Sequence, residues 1–262
     1  MTAVSAWLRG EAVLPPYALA VTIDDGYADF AVAQPVFAKY GIPVTVFLVS
    51  DFLDRKQWLW FDRIVYAFRN CKPNDPVIEM PGGTTLRFPL RSDDERRIAG
   101  HQLADMAVGF TPAERLDLVN RLPRLLEVEI PTQAPSEYQA LTWDQAREFA
   151  SAGVEFGAHT KTHPILSAIH SAQELQAEIA GSKARIEEQL NRPVLHFCYP
   201  NGKMQDIGAA AVESVRTAGM RTAVTAEPGL NEQGQDAFLL NRIGVDPAQE
   251  FKYFARRVAG VS

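Results

Sequence analysis

Six short apolar runs, at 18–23, 44–49, 154–158, 194–199, 222–225 and 238–245, punctuate the chain, and most of them alternate with segments of helical periodicity. This pattern constrains the fold more than any other feature. A short apolar run followed by a helix is the repeating unit of a mainly parallel sheet. The first run ends in two adjacent carboxylates, Asp24 and Asp25, followed by Gly26. Side chains alternate along an extended strand, so both aspartates face one site only if the chain turns as it leaves the strand, and Gly26 permits such a turn.

The helix after the first run is expected over 30–40, with Gly41 as its C-cap and Pro43 blocking continuation. Thr111 with Glu114, Thr142 with Gln145, and Ser171 with Glu174 each have capping-box spacing, and each is expected to open a helix. The third leads into Leu175, Ile179, Ile186 and Leu190 on one face, while Glu178, Lys183, Arg185, Glu187 and Glu188 lie mostly elsewhere and read as a solvated surface layer. The segment 51–139 is long, carries Trp58-Leu59-Trp60-Phe61, and reads as an insertion between core strands of one catalytic domain spanning 1–262. Its aromatics pack in a core or line a sugar-stacking cleft, with the core favoured.

The chain has 262 residues, 47% of them hydrophobic, enough for one large α/β domain or two small ones. A net charge of −6 argues against a nucleic acid or an anionic membrane as the main partner. The two cysteines, Cys71 and Cys198, form no spaced framework, which favours a reducing compartment. No run reaches the roughly 18 consecutive apolar residues of a membrane span. No basic region followed by an apolar core opens the chain, so a soluble cytoplasmic protein is expected, or an exported one if a leader segment precedes Met1.

Adjacent like charges at the end of an apolar run repel one another and lose hydration unless something compensates them. Asp-Asp-Gly also reads as an ordinary solvated turn. The run at 154–158 favours the first possibility, because it leads into His159-Thr160-Lys161-Thr162-His163. Two imidazoles four positions apart converge from a helix face or a tight loop, and with one carboxylate they make a three-ligand site with room for water. The second carboxylate then stays free as a base. His196 lies within the 194–199 run and reads as a packed or supporting residue; His101 and His170 read as surface residues.

Thr22-Ile23-Asp24-Asp25-Gly26, His159-Thr160-Lys161-Thr162-His163 and Tyr199-Pro200-Asn201-Gly202 together resemble the first three motifs of the polysaccharide deacetylases, carbohydrate esterase family 4. Related context runs over about 14–245. The resemblance implies an α/β fold, a distorted (β/α) barrel of about seven mainly parallel strands. It implies Asp25, His159 and His163 as ligands of a divalent metal, zinc first, with cobalt, nickel, manganese or iron as alternatives. It implies Asp24 as the catalytic base and Tyr199, Pro200 and Asn201 as the substrate-binding or oxyanion segment. The implied partner is an N-acetylated carbohydrate that loses acetate to leave a free amine.

Three departures accompany it. Cys198 stands where the third motif commonly begins with an arginine, and Arg242 resembles the late arginine of exopolysaccharide-deacetylase-like members, so it either replaces that guanidinium or forms a surface ion pair. Many members use a late histidine as general acid, whereas no histidine follows His196. Related bacterial members carry an additional strand before the equivalent of Leu14-Pro15-Pro16, so Met1 reads as the start of a shortened chain whose barrel edge another element or chain must cover. Hydrolysis of O-acetyl esters or of a non-sugar amide at the same metal site is an alternative, and so is a carbohydrate-binding protein with impaired turnover.

Overall fold

Each of the six apolar runs holds all or part of a strand in a computed structural model that describes residues 1–72, 74–245 and 249–259. In chain order the strands are β1 (Val21–Ile23), β2 (Val44–Leu48), β3 (Val77–Glu79), β4 (Thr85–Arg87), β5 (Glu155–Ala158), β6 (His196–Cys198), β7 (Thr222–Pro228) and β8 (Leu240–Arg242). Those from the six runs make one parallel sheet, ordered β1-β2-β5-β6-β7-β8. The sheet curls into a half-barrel, the form the distorted (β/α) barrel takes here, with six strands among the described residues.

The first run is shorter and less buried than its composition suggests. Residues 15–20 are exposed, and β1 begins only at Val21 and is half-buried throughout, because it is an edge strand with β2 as its one neighbour. β2, flanked on both sides, is buried at all five positions.

Contacts divide the chain into two units, Met1–Lys56 with Ala140–Ser262, and Gln57–Gln139. In the first, helix α1 (Thr2–Leu8) places Met1, Val4 and Leu8 against Phe47, Cys198, Val224 and Leu240 of the sheet. Helix α2 (Phe30–Lys39) ends as expected, with Gly41 at φ 61° just beyond it. A short helix, α3 (Ser50–Leu53), follows β2.

The second unit has its own core. Helices α4 (Trp60–Asn70), α5 (Asp93–Val108) and α6 (Pro112–Leu125) and the antiparallel β3–β4 pair enclose Phe68, Ile78, Leu90, Leu103, Leu118 and Leu122. The aromatic cluster serves this core: Leu59 is buried, Trp60 and Phe61 pack against it, and Trp58 stacks on Tyr138 at 5.6 Å between ring centroids. The Thr111–Glu114 capping box opens α6, and an equivalent Ser92–Glu95 box opens α5.

Back in the first unit, Thr142 and Gln145 form the expected box at the start of α7 (Trp143–Ser151). At α8 (Ala172–Leu190) only half of the expected box forms: Ser171 accepts from the Glu174 N–H. Leu175, Ile179, Ile186 and Leu190 are buried on one face of α8, as their spacing predicts. Its charged residues are not all a solvated layer: Glu178 accepts from the Lys161 and Thr162 N–H groups, and Arg185 donates to the Asp54 carboxylate. Among the described residues no helix is long and apolar enough to cross a membrane.

Candidate active site

Asp24 and Asp25 follow β1, His159 follows β5, Tyr199 to Asn201 follow β6, and Arg242 closes β8. Because the strands are parallel, all of these lie at one end of the sheet, the end where sites gather in such folds. The turn that separates the aspartates pivots on Asp25 itself. Asp25 has φ 70°, and the Gly26 N–H donates to the Asp24 carbonyl over 2.9 Å, closing a three-residue turn. Asn201 repeats the device, with φ 58° and a 2.6 Å bond from the Gly202 N–H to the Pro200 carbonyl. Both following glycines have positive φ, and a Cβ on Gly202 would lie 2.5 Å from the Ala226 backbone nitrogen. Thr160 and His163 are also left-handed, at 66° and 58°. A β-branched residue such as Thr160 is held there only when its surroundings over-determine it.

Asp25 Oδ1 lies 3.4 Å from His159 Nε2 and 3.5 Å from His163 Nε2. Asp25 Oδ1 is buried yet makes no hydrogen bond. The imidazoles are buried and stand edge to face, 4.8 Å between ring centroids and 77° apart. His159 Nδ1 is 2.7 Å from the Cys198 carbonyl. A carbonyl only accepts, so Nδ1 carries a proton, and in the neutral ring this leaves the Nε2 lone pair facing Asp25. Burial opposes charge on both rings. At His163 it prevails and brings the pKa down to about 4; at His159 the adjacent carboxylates of Asp25 and Asp24 overcome it and raise the pKa.

This trio fits a small divalent cation. One donor atom from each of Asp25, His159 and His163 falls within 4.8 Å of the others. A tetrahedral ion with ligands at about 2.0–2.1 Å sets its donors about 3.4 Å apart, the spacing found between Asp25 Oδ1 and each imidazole. An orphaned buried carboxylate oxygen facing two imidazole nitrogens is costly without a cation and ordinary with one.

Asp24 points to a different partner. Arg242 Nη1 and Nη2 donate to its two oxygens, each over 2.8 Å. The guanidinium also donates from Nε to the Thr225 carbonyl at 2.6 Å and from Nη1 to Thr22 Oγ1 at 3.3 Å. Arg242 belongs to one edge strand, β8, and Thr22 to the other, β1, so this side chain bridges the two edges of the half-barrel at the site. Of the two places considered for Arg242, the structure gives the one beside the carboxylate. Burial alone would raise the Asp24 pKa; the charges of Arg242 and His159 and the Arg242 hydrogen bond overcome it, and the pKa lies below the ordinary carboxylate value.

Tyr199 is fully buried. Its phenol donates to the Phe238 carbonyl and its backbone N–H to the Val224 carbonyl, so its polar atoms engage the core. His196 is also buried, with Nδ1 2.7 Å from Thr222 Oγ1 and Nε2 3.2 Å from Glu155 Oε1, at the opposite end of the strands. His101 and His170 are exposed. Both cysteines are buried free thiols, and burial keeps Cys198 protonated. The sequence reading missed Cys198 as a neighbour of Asp24 and His159, and it missed Glu178, which binds the loop between the histidines.

A match to the polysaccharide deacetylase family model covers residues 13–223, four-fifths of the chain and both histidine and aspartate motifs. The chain belongs to the polysaccharide deacetylase family. Arg242 lies beyond the matched residues, so its place beside Asp24 is known from geometry alone. YxkH of Bacillus subtilis, named for the same family, is 29% identical over 114 residues, 44% of this chain and 39% of that protein. This chain therefore aligns with well under half the length of that curated relative. Among solved structures, the Streptococcus pyogenes deacetylase PplD superposes with TM-score 0.61 at 17% identity, covering 98% of this chain and 77% of PplD. A de-N-acetylase from Aggregatibacter actinomycetemcomitans gives 0.59 at 17% identity, covering 98% and 80%. These two likenesses establish the family fold.

Proposed function

We propose that the chain is a catalytic domain, carrying 57–139 as an insertion, that hydrolyses N-acetyl groups on a sugar, oligosaccharide or polysaccharide to acetate and a free amine. Asp25, His159 and His163 hold a divalent cation, zinc best matching two imidazoles and one carboxylate. When bound, the cation supplies Lewis acidity toward the acetyl carbonyl and lowers the pKa of a water toward about 7. Asp24 accepts the proton of the attacking water as the O–C bond forms. It returns that proton to nitrogen as the C–N bond breaks, so atoms and charge balance with one carboxylate serving both steps.

Arg242 fixes the plane of the Asp24 carboxylate through two parallel bonds while each oxygen keeps a lone pair for the proton. Pro200 and Asn201 contact the acetyl group from the tight turn after β6, held in place by the packed Tyr199. The observation that carries this proposal is the pairing, at one end of the sheet, of a cation-shaped trio containing an orphaned oxygen with a second carboxylate clamped by a guanidinium. The test measures acetate and free amine together across N-acetylated and O-acetylated glycans, with metal-stripped protein and Asp24→Asn as controls. Equal release of both products, lost in both controls, is expected. Acetate without new amine makes the chain an esterase, and full activity in Asp24→Asn removes the base.

A further inference from the structure

The segment joining the two histidines is an irregular turn, and its stability decides where His163 sits. Thr160 and His163 are left-handed. The Thr160 hydroxyl accepts from the His163 N–H over 3.1 Å and donates to the His159 carbonyl. The Thr160 and Lys161 carbonyls accept from Ser50 and Asp51 N–H groups, at 3.2 and 3.0 Å. Lys161 and Thr162 belong to neither a strand nor a helix, so their N–H groups take no part in a regular backbone ladder. Both donate instead to one oxygen of Glu178, at 2.9 and 3.0 Å, and the Thr162 hydroxyl donates to the other at 2.8 Å. The Lys161 side chain lies against the same helix: a Cβ on Gly181, one turn further along α8, would lie 3.1 Å from Lys161 Cδ.

We propose that Glu178 is a positioning residue for the metal site, preorganising His163 against His159 by holding the turn between them. The proposal rests on the reading of Asp25, His159 and His163 as metal ligands. Glu178 touches neither metal nor substrate. Its carboxylate satisfies three donors that solvent would otherwise compete for, and it ties a strained four-residue step to a nineteen-residue helix anchored by Leu175, Ile179 and Ile186. Charge-assisted bonds to backbone N–H groups are about twice as strong as neutral ones. Without them the left-handed residues relax and the separation of the imidazoles is no longer fixed. Groups one step removed from a metal typically account for about 10–100-fold in its affinity.

The experiment is a zinc competition titration with a chromophoric chelator, alongside thermal unfolding, on the full chain and on Glu178→Ala, Glu178→Gln, His163→Ala and Glu188→Gln. Glu188 is exposed on the same helix and serves as the control. The glutamine keeps the volume of Glu178 and one acceptor, so it decides the matter if the alanine variant does not fold. Expected are about 10–100-fold weaker zinc binding in both Glu178 variants, parent affinity in Glu188→Gln, no measurable site in His163→Ala, and recovery of Glu178→Gln activity on adding zinc. Parent zinc affinity in folded Glu178→Gln, with the site lost in His163→Ala, overturns the role of Glu178 alone. Parent affinity in His163→Ala overturns the metal reading and this proposal with it.

Discussion

The two ends of the same parallel sheet carry nearly the same side chains. At the N-terminal ends of the strands, Glu155 and His196 lie 3.2 Å apart, with Thr222 on the other imidazole nitrogen and Thr45 and the Met1 amine on the carboxylate. At the C-terminal ends, Asp25 lies 3.4 and 3.5 Å from His159 and His163. The chemistry differs because the accounting of polar atoms differs. Both Glu155 oxygens accept hydrogen bonds, and the cluster grows from regular strand residues. Asp25 Oδ1 is buried without one, and Asp25, Thr160, His163 and Asn201 all have positive φ. Buried polar groups in a merely structural cluster are satisfied, and strained backbone persists where function holds it. An acid beside a histidine is not by itself a site; an unsatisfied acid on a strained turn, facing a second imidazole, is a candidate.

Exchanging the outcome of one substitution between the two ends breaks the comparison most directly. His159→Ala should abolish stoichiometric zinc binding and turnover, as read by metal analysis of the purified protein and acetate release. His196→Ala should leave the metal stoichiometry at the parent value. Zinc lost equally from both would mean that hydrogen-bond satisfaction does not distinguish the two ends. Within the active end, Asp24→Asn removes the proton acceptor without touching the trio, and kcat should fall about 10²–10⁴-fold at unchanged metal content. Arg242→Gln keeps the base but loses its bidentate clamp, and a smaller fall of about 10–100-fold in kcat, with KM little changed, is expected. A fall in Arg242→Gln as large as in Asp24→Asn would give the guanidinium a direct part in the chemistry.

The motifs were legible because their function is local. Asp24, Asp25 and His159 each follow an apolar strand within two residues, and the four-residue step to His163 is the spacing the proposed ligand pair requires. The six strands were legible for the same reason. What could not be read locally depends on residues far apart. Arg242 reaches Asp24 across 218 positions, and only the curl of the sheet brings its edges together. Glu178 resembles every other charge on α8, because the groups it binds are backbone N–H groups 16 and 17 residues earlier, which have no sequence signature. Packing of α1 against the sheet depends equally on distant partners. The Ser92–Glu95 box at α5 is different: its signature was present and went unread.

The satisfied end predicts stability effects without metal effects. His196→Ala leaves Glu155 and Thr222 short of one partner each, and a loss of about 1–3 kcal/mol in unfolding free energy is expected from denaturant titration.

Asp54 extends the comparison to a third cluster and gives its smallest effect, one that appears only in acid. Its buried carboxylate accepts from Arg185 Nη2 at 2.8 Å, Trp143 Nε1 at 2.8 Å and Lys56 Nζ at 3.0 Å, so it resembles Glu155 and not Asp25. Burial alone would raise its pKa from 3.8; the bonds from Arg185, Trp143 and Lys56 overcome that and lower it to about 2. The folded state therefore favours the charged form more than the unfolded state does. The stabilisation is complete above about pH 4 and is lost as pH falls from about 4 through about 2, because the unfolded chain binds the proton first. Asp54→Asn should flatten this part of the stability profile, measured by thermal unfolding of the parent and variant between about pH 2 and 6, and should leave zinc affinity at pH 7 unchanged. A variant whose unfolding keeps the parent's slope across that window would show that the hydrogen bonds to Asp54 do not favour its charged form, and satisfaction at this cluster would then be geometric without being energetic.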